Sequence, residues 1–222
     1  MKRVAFLFAI LAAIALLLSG PGTRFGWFPL TIGLGLYALC VPLAIIALFL
    51  ALIAAVREKR TSPLTTLSIG FSAVLLIVTV WHVAAAFHTP PIHDITTDLA
   101  EPPQFTKAIV YPGASVAARQ RVAYPEIEPL ILHRVSPVDA FARAMAAAHR
   151  LGWDVTMARP DEGRLEATAT TSWFGFTDDV VVRIRPSGDG SRVDVRSRSR
   201  VGQGDAGENA KRIRAFLQLL RR

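Results

Sequence analysis

Three apolar stretches within the first 87 residues restrict this chain more than any other feature. Residues 4–19, 28–56 and 64–87 contain no Asp, Glu, Lys or Arg. A helix crosses the roughly 30 Å hydrocarbon layer with about 20 such residues, so each stretch is expected to be a transmembrane helix. The first follows Lys2 and Arg3 and resembles a secretory signal. However, Pro21 follows the only small-residue cleavage point, Ser19-Gly20, and further apolar spans come after it, so it is read as an uncleaved first helix. The second contains Gly33, Gly35 and Pro42, which permit close helix packing and a tilt or kink. Residues 1–88 are therefore read as a membrane anchor.

Charge orients the anchor. The chain has 25 Lys and Arg against 17 Asp and Glu, a net +8, which invites a nucleic-acid reading. Up to Pro90, though, the basic residues are Lys2, Arg3, Arg24, Arg57, Lys59 and Arg60, against Glu58 alone. Much of the imbalance thus flanks apolar spans, and nucleic acid is set aside as a partner. The positive-inside rule places the N-terminus and the 57–60 link in the cytoplasm and everything after Phe87 outside. The expected location is the bacterial inner membrane, with the C-terminal domain periplasmic or otherwise extracytoplasmic. Trp27, Phe28, Trp81 and Phe87 fall near the outer boundary. The single cysteine, Cys40, excludes a disulfide framework.

Beyond the anchor, residues 89–135 are proline-rich and weakly periodic, and are read as an extended, largely irregular strap. Residues 136–222 are patterned. Ser136-Pro137 with Asp139 starts a helix, with Val138, Phe141, Met145 and Ala148 at helical spacing and Gly152 at its end. Period-2 stretches follow. Trp153, Val155 and Met157 alternate with polar residues, as do Leu165, Ala167 and Ala169, then Val180, Val182 and Ile184, then Val193 and Val195. The expected fold is α+β, an antiparallel sheet of about four strands covered by two helices.

Four stretches could carry chemistry. The first is Gly202, Gly204 and Gly207, which spell G-x-G-x-x-G. A dinucleotide fingerprint needs a parallel βαβ unit and a later acidic residue, and the chain has no acid after Glu208. Asp205 is instead read as the cap of a helix from Ala206 to about Leu220, with Ala206, Ala210, Ile213, Leu217 and Leu220 as its buried stripe; no cofactor is expected. The second is the stretch from His88 to Asp98, where His93, Asp94 and Asp98 offer imidazole and carboxylate. Its two prolines and lack of a helical His spacing argue for a structural strap over a metal site. The third is Trp173, Phe174 and Phe176 beside Asp178 and Asp179, in a connection longer than a tight hairpin needs. These aromatics are expected to close the sheet core; contact with lipid headgroups or an apolar ligand is the alternative. The fourth is the series Arg196, Arg198 and Arg200 along the last strand, a candidate contact for an anion or partner. No Ser–His–Asp order is compelling, since Ser136 reads as a cap and His149 as a helix end.

Three segments, PPIHDITTDLAEPPQF, EATATTSWFGFTDDVVVRIRP and SRVDVRSRSRVGQGDAGENAKRIRAFL, resemble the bacterial family catalogued as domain of unknown function 1499. The resemblance covers roughly residues 90–220 and implies N-terminal transmembrane helices. It implies no activity, substrate, cofactor or catalytic residue. The expected function is an extracytoplasmic module that binds a ligand, lipid or envelope protein through His93, Asp94, Asp98, Trp173, Phe174, Phe176, Arg196 and Arg198. An envelope enzyme using His93 with Asp94 or Asp98, with or without a metal, is the alternative. The lipid bilayer is the one partner expected outright.

Overall fold

A computed structural model describes residues 1–58, 61–107 and 109–222, in two compact units. Lys59 and Arg60, which contribute to the basic link, lie outside the described residues.

The first unit holds α1 (Lys2–Arg24), α2 (Leu30–Arg57) and α3 (Pro63–Phe87). All three are long and apolar enough to cross a membrane. Pro21 sits inside the last turns of α1 and Pro42 inside α2, and neither ends its helix. Apart from Leu16, the buried residues of α1 and α2 are small, among them Ala5, Ala9, Ala12 and Gly20 on α1, and Gly33, Cys40, Ala44, Ala47, Ala51 and Ala54 on α2. A Cβ on Gly33 would lie 2.0 Å from Thr23 Oγ1 and 2.6 Å from the Ser19 carbonyl, so glycine lets the two helices approach closely. Gly35, expected to do the same, meets open space.

On α3 the buried residues include Thr65, Ser68, Ser72 and Thr79. Ser68 and Thr79 donate to the carbonyls of Leu64 and Leu75, both at 2.8 Å, which satisfies the hydroxyls without solvent. At one end of the unit Lys2 lies 3.2 Å from Glu58, whose carboxylate also accepts from the Ser62 amide. The start of α1, the end of α2 and the approach to α3 therefore meet at one end.

The second unit is an open, fully antiparallel sheet with helices. Its strands are β1 (Asp94–Thr96), β2 (Leu130–Leu132), β3 (Asp154–Arg159), β4 (Arg164–Thr170), β5 (Thr177–Ser187) and β6 (Gly190–Ser199). Their order is β1-β6-β5-β4-β3, with β2 also paired to β6. The helices are α4 (Ala114–Ala123), α5 (Pro137–Arg150) and α6 (Glu208–Leu220). Among the described residues the sheet has about six strands where about four were expected, because the proline-rich segment supplies β1 and β2. Each is three residues long, too short for alternation to show. The same segment contains α4, also unexpected. Its prolines flank these elements without interrupting them.

The core lies on one sheet face. Leu165, Ala167, Val180, Val182, Ile184, Val193 and Val195 pack with Phe141 of α5 and Ile213, Phe216 and Leu220 of α6. Trp153 stacks on Phe216 with centroids 4.9 Å apart. Ser136 caps α5 by accepting from the Asp139 amide at 3.1 Å.

Two local expectations change. Asp205 does act as a cap, accepting from the amides of Gly207 and Asn209 at 2.8 Å each, but α6 begins at Glu208. Ala206 has φ +52° and lies before the helix, so it is not part of the stripe, whereas Phe216 is. In β3 a bulge between Val155 and Met157 moves Met157 off the Trp153–Val155 face. It pairs with Glu166 on the polar side, because one extra residue reverses the alternation.

Candidate functional site

The chemistry-bearing side chains collect on the sheet face opposite the core. Residues paired across neighbouring strands share a face. Register therefore aligns Arg192, Asp194, Arg196 and Arg198 of β6 with Arg183, Arg185 and Asp179 of β5, and with Arg164, Glu166 and Thr168 of β4. Residues 98–106 of the proline-rich segment bond to this face. Glu166 accepts from the amide and hydroxyl of Thr106 at 2.6 and 2.8 Å, and Arg164 donates to the Gln104 carbonyl.

At its centre is a buried ion pair. Arg196 and Asp94 both have fully buried side chains. Arg196 Nε and Nη2 donate to the two Asp94 oxygens at 2.9 and 2.8 Å, and Nη1 donates to the Pro103 carbonyl at 3.1 Å. The guanidinium lies 5.0 Å from the ring centre of Phe105 and 5.3 Å from that of Tyr111. Such a fork satisfies the charge while the aromatic faces replace water. Burial, with Asp94 nearby, pushes the Tyr111 hydroxyl up to about 12. Arg198 lies directly across from Asp94 in register, with Nε 3.8 Å from its carboxylate.

A second cluster surrounds Asp98. Arg183 and Arg192 donate to Asp98 Oδ2 at 3.0 and 2.8 Å and both reach Asp194, while Arg185 pairs with Glu101 at 2.9 Å. The amides of Ala100 and Glu101 donate to Asp98 Oδ1. Burial opposes its charged form, but those amides with Arg192 and Arg183 outweigh it and hold the carboxyl below its usual range. This pair contribution is present above the ordinary carboxylate pKa of about 4 and is lost as pH falls through the lower folded value. Acid titration of the full chain followed by circular dichroism should therefore show Asp98→Asn less stable at neutral pH. Its stability should also fall less steeply than wild type below about pH 4.

On the helix-covered side a buried polar network joins β5, β6 and α6. Arg212 donates to Asp178 at 2.6 Å and to Ser197 and Asn209, and Asn209 donates to Ser199 and the His93 carbonyl. Burial raises the Asp178 carboxyl despite Arg212 beside it.

The expected site residues are thus divided among separate tasks. Asp94 is bound by Arg196, and Asp98 by Arg183 and Arg192. His93 Nδ1 lies 3.3 Å from the Gln203 carbonyl, and His88 is exposed. Among the described residues, no three His, Cys, Asp or Glu side chains are grouped to hold a metal. A small open cleft of about 110 Å³ lies beside the segment, lined by Pro103, Gln104, Glu162, Arg164, Val181 and Arg183.

Trp173 and Phe174 do not close the sheet core. Thr171–Gly175 belongs to the helical unit. A Cβ on Gly20 would come within 2.5 Å of the Trp173 indole, and Phe174 meets Tyr37 edge-on at 5.9 Å. Arg24 donates to the Ser172 carbonyl. Phe176 is half-buried in the sheet unit. The partners at Gly20 and Tyr37 lie more than 130 residues away in sequence, so nothing local signals them.

A family model described as a protein of unknown function (DUF1499) matches residues 94–220. The chain belongs to that family. The match begins on the first residue of β1 and ends on the last residue of α6. The DUF1499 region thus takes in every sheet strand and also the Trp173 connection. No curated protein matches the chain.

Proposed function

We propose that this is a multi-pass protein of the bacterial inner membrane. In this reading it holds its DUF1499 domain outside the cytoplasm, where the domain binds a lipid or envelope partner without chemical conversion. One observation carries the binding reading: the acids best suited to catalysis are committed to arginine forks. A carboxylate bridged by two guanidinium nitrogens is a poor base and a poor metal ligand. Trp173, Phe174, Arg198 and the cleft beside Arg164 remain the candidate contacts for a lipid or partner. Orientation rests on the basic residues Lys2, Arg3 and Arg57 near the end where Lys2 meets Glu58.

Two measurements on the full chain test this. A reporter active only outside the cytoplasm, fused after Arg222, should be active; activity of a cytoplasmic reporter alone would reverse the orientation. Native mass spectrometry after gentle detergent extraction should retain a lipid or protein adduct, and a bare polypeptide would remove the binding role.

A further inference from the structure

The two edges of the sheet are finished differently. At one edge, Gln120 of α4 closes the main chain of β1: the Thr96 amide donates to Gln120 Oε1 at 3.1 Å, and Gln120 Nε2 donates to the Thr96 carbonyl at 2.6 Å. A side-chain amide thus stands in for the next strand. At the other edge β3 pairs with β4 on one side. Among the described residues, no hydrogen bond reaches the main chain of residues 155–158 from its outer side. Exposed main chain of this kind is a template for another strand. Asp154, Thr156, Ala158 and Arg159 are exposed, and the strand has neither proline nor lysine to discourage pairing.

The strand is also complementary to itself. Its six residues read Asp-Val-Thr-Met-Ala-Arg. Laid antiparallel against a copy of itself, Asp154 faces Arg159, Val155 faces Ala158 and Thr156 faces Met157. In a regular strand the first and sixth residues point to opposite faces, which would forbid the charge pair. Here the bulge corrects the parity. Asp154 pairs with Thr168 and Arg159 with Arg164, so both lie on the polar face, while Val155 and Ala158 pair with Ala167 and Leu165 on the core face. A two-fold axis perpendicular to the sheet keeps each face with its like. It brings two Asp154–Arg159 pairs together at the ends of the new ladder. Arg159 also lies 3.6 Å from Glu162, an exposed contact that a guanidinium with five donors can share.

We propose that the outer edge of β3 pairs antiparallel with the same edge of a second copy of this chain, joining two DUF1499 sheets into one. The symmetry of the charges selects a second copy over an extended peptide from another protein, which would need no match to its own reverse.

The test uses full-length protein in detergent and in proteoliposomes. Wild type should show twice the protomer mass by native mass spectrometry. Thr156→Cys, beside its own symmetry mate, should crosslink to a dimer with a short bis-maleimide, while wild type, with Cys40 alone and buried, should not. Asp154→Arg places like charges opposite each other twice and should lower the dimer fraction about tenfold. The swap Asp154→Arg with Arg159→Asp restores both pairs and should restore the dimer, which also shows that the variants fold. A monomeric wild type, a dimer indifferent to Asp154→Arg, a swap that fails to restore it, or Thr156→Cys crosslinked to a different protein would each overturn the proposal.

Discussion

Replacing Arg196 by methionine should lower the stability of the sheet domain by about 3–5 kcal/mol, read as a fall in its urea midpoint in the detergent-solubilised full chain. The side chain is fully buried and so is its partner Asp94. The loss therefore leaves a buried carboxylate without its two-pronged partner, with Arg198 Nε at 3.8 Å as the remaining cation. It also releases the Pro103 carbonyl and removes the cation from the faces of Phe105 and Tyr111. Asp94→Leu should cost about as much for the mirror-image reason. The double substitution Asp94→Leu with Arg196→Met should lie closer to wild type than either single change, because no charge is then stranded. Some loss should remain from the Pro103 carbonyl. If the two single effects simply add, the pair is not the unit described here.

Gly20→Val should cost about 1–3 kcal/mol by overpacking, seen as a lowered thermal midpoint of the full chain in detergent. A Cβ at that position meets three atoms of the Trp173 indole within 2.7 Å, so the ring must leave its seat. Trp173→Ala should also destabilise, by less than a fully buried tryptophan would, since Trp173 is 38% exposed. With Trp173 already truncated, Gly20→Val should cost far less than it does alone. Equal cost of Gly20→Val in both backgrounds would show that the indole does not occupy this notch. The contact matters because Thr171–Gly175 links β4 to β5 and Asp178 follows shortly after. Displacing the ring should loosen the start of β5, which hydrogen exchange would detect as faster amides at residues 177–179.

The three long apolar helices were legible because the capacity to cross a membrane needs only composition and length, and a run of apolar residues displays both. The main strands of the sheet domain were legible because a period of two or 3.6 states which face is buried. That reading failed where the period was too short or interrupted. β1 and β2 have three residues each, α4 lies among prolines, and one extra residue in β3 turned Met157 to the other side.

The candidate residues show the same division. Arg192, Asp194, Arg196 and Arg198 were legible as the polar side of a strand. Their pairing was not, because Asp94 and Asp98 come from a segment about 100 residues earlier. Nor could Arg183 and Arg185 be told from solvated surface charges before that segment bonded to the same face. The Trp173–Phe174 pair was misplaced into the sheet core because aromatics beside a strand usually belong there. Its seat at Gly20 and Tyr37 depends on a distant helix pair.

By itself the sequence determined which segments are long and apolar enough to cross a membrane, which faces turn inward, and the family to which residues 94–220 belong. Hydrophobic burial is a property each segment carries alone. The tertiary structure decided which charges meet, which strand edge stays open, and where the aromatic connection rests. Those depend on long-range register, where a shift of one residue exchanges every partner.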